Sequence, residues 1–249
     1  MVSEQYRAML GGKSVIRILS EFATKRGEEI GYDNVFDYSL GNPSVPVPEE
    51  FTECMIEMLK NSDPCSLHGY SPSLGIPSVR AAIAASLNER FGMNYGPEHI
   101  FMASGAAGAL AHAYRAVTKP GDEILTFAPY FPEYNPYVNL TGAVLKVVPP
   151  DTESFQINFD AFEEMLGEKV MAVLINTPNN PSGIVYSEET ILRLADILRK
   201  KEQEYGHDIF IISDEPYREI VFAGVKAPYV SRYYANTISC LLYTSPSPR

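Results

Sequence analysis

An α/β fold built on a mostly parallel sheet is what this sequence predicts, and three observations carry the prediction. Short runs rich in Val, Ile and Leu alternate with segments of helical period between His99 and Ser213. One of these runs, Val170–Asn176, is too short for most helices and apolar almost throughout, the pattern of a parallel strand buried on both faces. Clusters of polar and turn-forming residues follow directly after the runs, where open α/β sheets place their ligands.

Taken in order, Pro48–Asn61 places Phe51, Met55, Ile56 and Leu59 at helical spacing, and Pro77–Phe91 places Val79, Ile83 and Leu87 on one face, so both read as amphipathic helices. A strand is expected at His99–Ala103, a helix of small residues at Gly105–Val117, and a strand at Glu123–Ala128. Pro132–Leu140 reads as helical or irregular, and Val144–Val148 as a strand. After Val170–Asn176 a long helix begins at Ser187, a good N-cap, with Glu188 and Glu189 in its first turn and Ile191, Leu194, Ala195 and Leu198 on one face. Asp208–Ser213 is another short buried strand, ending in Asp214, Glu215, Pro216 and Tyr217.

The 249 residues allow one large domain, or one domain and part of a second. A net charge of −11 with no basic face disfavours a nucleic-acid partner, since a phosphate backbone would be repelled. The sequence shows no apolar run of roughly 18 residues and no signal-peptide core near its start, so no membrane is expected and a cytoplasmic location is. Three cysteines and four histidines are too scattered for a disulfide framework or a metal site.

Four patterns can carry chemistry. Ser104–Gly108 (SGAAG) lies between a strand and a helix, where small residues let backbone amides and a helix N-terminus approach an anion, although tight packing alone explains it equally well. Asn176–Gly183 (NTPNNPSG) is either a plain turn or a stiff loop aiming amide donors. Asp214 and Tyr217 put a carboxylate and a phenol at the end of a buried strand, where a helix cap is the weaker alternative for a lone Asp. Ala128–Tyr134 (APYFPEY) brackets aromatic rings with prolines, and such rings are more often core than cofactor platforms. All four follow strands of one sheet and can converge at one edge. Together they supply what a phosphorylated aromatic heterocycle with a ring nitrogen and a phenolic oxygen requires.

In order and spacing these motifs resemble the class I/II aminotransferases of fold type I, which use pyridoxal 5′-phosphate. The resemblance runs from LGNPSVPVP near Leu40 through Tyr70–Gly75 and Arg80 to Asn180–Gly183 and Ser213–Tyr217. It implies a three-layer αβα large domain with a mostly parallel sheet. It further implies that Asp214 pairs with the pyridinium nitrogen, that Asn180 and Tyr217 donate to the ring oxygen, and that Phe131 stacks on the ring. Gly105, Ala106 and Ala107 would take the phosphate through their backbone, two alanines standing where relatives often carry a hydroxyl. Tyr70 resembles the tyrosine that reaches the phosphate of a neighbouring subunit, which implies a homodimer; Gly41 and Asn42, with Asn180, would face the substrate. The implied reaction moves an amino group between an α-amino acid and a 2-oxo acid.

The family's covalent lysine has no counterpart, so no catalytic residue is assigned: Lys226 is the only lysine after Asp214 and comes too early. Residues 1–44 are expected to be an amino-terminal arm with part of a small domain, 45–239 an incomplete cofactor-binding large domain, and 240–249 a non-native tail. The chain is therefore expected to be the amino-terminal part of a longer enzyme, not competent alone. A pyridoxal-phosphate-dependent lyase of the same fold, which would use the same Asp, Asn and Tyr, and a non-catalytic regulator that binds the cofactor are the alternatives. A dinucleotide-dependent oxidoreductase is disfavoured because no G-x-G-x-x-G follows the first strand.

Overall fold

A computed structural model describes residues 4, 7, 15–39, 41 and 46–241. The chain divides into two compact units between Pro48 and Glu49. The first carries helix α1 (Val15–Ile30) and a 3-10 turn at Tyr32–Asn34.

The second unit holds a five-stranded parallel sheet in the order β2-β1-β3-β4-β5. Its strands are β1 (Glu123–Phe127), β2 (Val144–Val148), β3 (Val170–Asn176), β4 (Phe210–Asp214) and β5 (Thr237–Cys240). Helices α2 (Glu49–Asn61), α3 (Pro64–His68) and α4 (Pro77–Phe91) precede it. The rest are α5 (Gly105–Val117), α6 (Tyr134–Asn139), α7 (Phe159–Met165) and α8 (Glu188–Tyr205).

Strand alternation explains the three layers. In β3, Val173 and Ile175 point into a core closed by α7 and α8, with Phe162, Ile191, Leu194 and Leu198 buried there. Ala172 and Leu174 point the other way, into a core closed by Leu110, Ala113 and Tyr114 of α5 and Tyr134 and Val138 of α6. The long helix α8 starts as its sequence dictates: Ser187 caps it by accepting from the Thr190 amide at 3.0 Å, and Gly206 ends it in the left-handed region at φ 73°.

The chain reverses direction across the sheet between β1 and β3, because β2 lies on one side of β1 and the later strands on the other. Such a switch point opens a crevice at the carboxyl ends of the strands. Helix α5 aims its N-terminus at the same edge, since its C-terminal end runs through a short turn into the start of β1. It packs on β4 and β5.

The strand expected at His99–Ala103 does not form. Pro97–His99 is a 3-10 turn, and Met102 makes a single long amide bond of 3.4 Å to the Leu74 carbonyl. A strand exists only where a neighbour supplies a ladder, and no strand of the sheet lies beside this segment; Phe101 stays 53% exposed. Helix α2 forms where expected, yet none of its residues is buried, and its apolar side with Phe51, Met55, Ile56 and Leu59 stays exposed. In α4 only Ala84 and Leu87 are buried, so Val79 does not belong to the core. Sequence patterning does not single out α1, α3 or α7. Strand β5 takes in Cys240, which is buried.

Candidate functional site

Three strand ends converge at the switch point. On β3 the alternation that sends Ala172 and Leu174 toward α5 and α6 sends Asn176 the same way, and on β4 Ile212 shares its side with Asp214. Asn176 and Asp214 are register partners on adjacent strands. The Asn176 Nδ2 donates to the Asp214 carbonyl at 2.8 Å, while its Oδ1 accepts from the Asn180 amide at 2.6 Å. A single buried amide thus fixes both the Asp214 backbone and the start of the loop that follows β3.

Asp214 is 6% exposed and receives one strong bond, from the Tyr134 Oη to its Oδ2 at 2.5 Å. Its other oxygen, Oδ1, is buried and makes no hydrogen bond among the described residues. Burial pushes this carboxyl up to about 6; the Tyr134 phenol pulls it back, and the neighbouring Glu215 adds to the rise. Burial likewise raises the Tyr134 phenol, with the Asp214 charge beside it, so it stays a neutral donor. A buried carboxylate oxygen without a partner costs free energy, and a donor brought to that oxygen recovers it.

Asn180 and Tyr217 meet nearby. The Asn180 Nδ2 donates to the Tyr217 Oη at 3.2 Å, which occupies a lone pair of the phenol and leaves its own hydrogen free to donate elsewhere. Burial raises the Tyr217 phenol, the Asn180 amide opposes the rise, and Asp214 contributes a smaller upward push. Asn179, by contrast, is spent on the loop itself: its Oδ1 accepts from the amide and hydroxyl of Ser182, and its Nδ2 donates to the Pro129 carbonyl at 3.3 Å. That last bond ties the loop after β3 to the loop after β1, which carries Phe131.

Phe131 is half-buried and meets Tyr134 edge to face, with centroids 5.6 Å apart. Gly105 opens α5 at φ 71°, a conformation that a side chain would strain. The Ser104 side chain makes no cap bond, so the first amides of α5, including those of Ala106 and Ala107, lie at a helix start with no side-chain acceptor from Ser104. Tyr70 is fully exposed and belongs to none of these contacts. Gly41 is exposed in the first unit, and Asn42 lies outside the described residues.

Asn180, Tyr217 and Asp214 are therefore gathered at one edge, with Phe131 and the start of α5 on the segments that lead to it. Sequence reading assigns no role to Tyr134 or Asn176, although both lie inside the quoted motifs. Their roles rest on partners far along the chain, and no local spacing signals them. The arrangement can hold a flat aromatic cation whose N–H meets Asp214 Oδ1, a ring oxygen near Tyr217, and an anionic group at the start of α5.

The family model described as aminotransferase class I and II matches residues 33–244. The aspartate aminotransferase of Thermotoga maritima is 33% identical over 199 residues, which cover 80% of this chain and 49% of that protein. A probable aspartate/prephenate aminotransferase of Aquifex aeolicus is 33% identical over 194 residues, 78% of this chain and 47% of that protein. Among solved structures, an amino transferase from Eubacterium rectale superposes with a TM-score of 0.92 at 48% identity, covering 98% of this chain and 62% of that one. The chain spans about half the length of the curated relatives it matches.

Proposed function

The chain belongs to the aminotransferase class I and II family, and from that premise we propose that the protein carrying it moves an amino group between an α-amino acid and a 2-oxo acid with pyridoxal 5′-phosphate. The observation that supports this most is the buried, unpartnered Oδ1 of Asp214. A carboxylate in that position needs a cationic N–H, and a pyridinium ring supplies one in a flat shape suited to the crevice. When bound, the cofactor provides an electron sink for the charge left at the substrate's Cα.

Each residue then has a task. Asp214 holds the proton on the ring nitrogen, and Tyr134, through its phenol on Oδ2, aims the carboxylate so that Oδ1 faces the ring. The free hydrogen of Tyr217 and the second amide hydrogen of Asn180 serve the ring oxygen, with Asn176 setting the position of Asn180. Phe131 covers the ring, and the amides of Gly105, Ala106 and Ala107 face the phosphate. We assign Tyr70, a fully exposed aromatic, to the phosphate of a second copy, which makes the working unit a homodimer. Gly41 and Asn42 are assigned to the substrate side. Lys226 is exposed after Gly224 and has no place in this arrangement, so the covalent lysine is assigned to the part of the relatives that this chain does not span.

Pyridoxamine 5′-phosphate needs no lysine, so its non-covalent binding, followed by its fluorescence, is the test. The chain should bind it, and Asp214→Ala should weaken binding about tenfold or more, the scale of losing a charge-assisted bond. Equal binding by the variant, or none by the parent chain, would overturn the assignment.

A further inference from the structure

Glu215 and Arg218 form a buried ion pair that the chemistry above does not use. Glu215 follows the last residue of β4, and its amide donates to the Cys240 carbonyl at 3.0 Å, extending the match between β4 and β5. Its Oε2 accepts from Arg218 Nε at 2.6 Å and from Arg218 Nη2, and its Oε1 accepts from the Ser239 hydroxyl at 3.3 Å. Arg218 reaches further: Nη1 donates to the Ala227 carbonyl at 3.0 Å and Nη2 to the Pro228 carbonyl at 2.8 Å. Its guanidinium lies 5.0 Å from the Phe91 ring centroid and 5.1 Å from that of Tyr229. Those two rings stack on each other at 4.4 Å.

Stability alone is a poor account of such a pair. Removing two charges from water costs about as much as their attraction returns, and hydrocarbon of equal volume commonly does as well. Geometry is what the pair supplies. Tyr217 sits between Glu215 and Arg218, and the turn's own backbone bond, from the Arg218 amide to the Glu215 carbonyl, is a long 3.4 Å. The side-chain pair closes the turn that this backbone bond closes only loosely. It also anchors the turn to Ala227 and Pro228 on the returning loop, and through Ser239 to β5.

We propose that Glu215 and Arg218 are positioning residues, a clasp that holds the Tyr217 phenol where Asn180 meets it and where it can donate to a bound ring oxygen. The last clause rests on the reading of the site given above; the hold on Tyr217 does not. The planar fork matters as well as the charge, because Arg218 donates in several directions at once and a lysine ammonium cannot reproduce that pattern.

The test uses the whole chain with ring-labelled tyrosine. The Cζ resonance of Tyr217 is assigned with Tyr217→Phe, and Asn180→Ala marks the signal of a phenol that has lost its amide donor. Arg218→Met and Arg218→Lys should both move the Tyr217 signal toward the Asn180→Ala position while Tyr186 and Tyr234, buried in the opposite core, keep theirs. Affinity for pyridoxamine 5′-phosphate should fall about tenfold in both. If Arg218→Met is unfolded, the double variant Glu215→Gln/Arg218→Met, which leaves no uncompensated charge, takes its place. An unmoved Tyr217 signal, full rescue by lysine, or equal movement of Tyr186 and Tyr234 would each overturn the clasp. A parent chain that binds no pyridoxamine 5′-phosphate would remove the cofactor assignment instead, and the Tyr217 signal would still decide whether the clasp exists.

Discussion

On the face of the sheet covered by α7 and α8, Leu125, Val173, Ile175 and Ile211 meet Ile191, Leu194 and Leu198 in a core that is hydrocarbon apart from tyrosines at its border. On the opposite face the same strands present Thr126, Asn176 and Asp214, and α5 and α6 set Tyr114 and Tyr134 among Ile124, Leu174 and Ile212. One alternation of side chains produces both surfaces. Tasks are divided unequally between them: the first face is mainly hydrocarbon, with Ser213 and Thr177 buried at the strand ends, and the second carries the buried carboxylate and amide of the crevice. Pairing on the second face is incomplete, since the Tyr114 hydroxyl and Asp214 Oδ1 are buried without a partner among the described residues. Burial with the Asp214 charge nearby pushes the Tyr114 phenol well up, so it too stays neutral.

The separation can be challenged from the apolar side first. Leu194→Ala empties a fully buried position in α8 and should cost about 3–5 kcal/mol in chemical unfolding. If pyridoxamine 5′-phosphate binding changed in step at temperatures where the variant stays folded, the two faces would not be independent.

Next comes the polar side. The folded chain holds a proton on Asp214 up to about pH 6, against an ordinary value of 3.8. Between those values the native state binds more protons than the unfolded chain, so this group makes stability fall as pH rises through the window. The total is about 3 kcal/mol, since each tenfold gain in proton affinity on folding is worth about 1.4 kcal/mol. Asp214→Asn should flatten that slope in unfolding measured from pH 4 to 6.5, and an unchanged slope would show that Asp214 is not the group responsible.

The smallest effect adds a control on the apolar layer. Ser187→Ala removes the cap of α8 and should cost about 1 kcal/mol. The pH slope assigned to Asp214 should stay as it was, because the cap serves the apolar layer alone.

Much of this was legible from local signals. Val170–Asn176 formed the strand that its composition dictates, Gly105–Val117 formed the helix with the bounds its small residues suggested, and Ser187 capped α8. Asp214, Asn180 and Tyr217 could be picked out because each sits at the end of a strand or just beyond one, where side chains reach a common edge. Tyr134 could not be assigned, since its partner lies 80 residues later. The Glu215–Arg218 pair reads locally as two ordinary surface charges, and its burial depends on Phe91, Tyr229 and the loop at Ala227. His99–Ala103 erred the other way, because an apolar pattern does not make a strand where no ladder is offered.

Periodicity, caps and turn residues are short-range properties, so the order of residues along the chain was enough to place β1, β2, β3 and the helices α2, α4, α5 and α8, while the strand expected at His99–Ala103 failed and α1, α3 and α7 gave no signal. The order of the strands, the switch point between β1 and β3, the proton on Asp214 and the clasp around Tyr217 came only with the packed molecule. Each depends on desolvation and hydrogen bonds between residues distant in the chain, and those energies do not exist until the layers close.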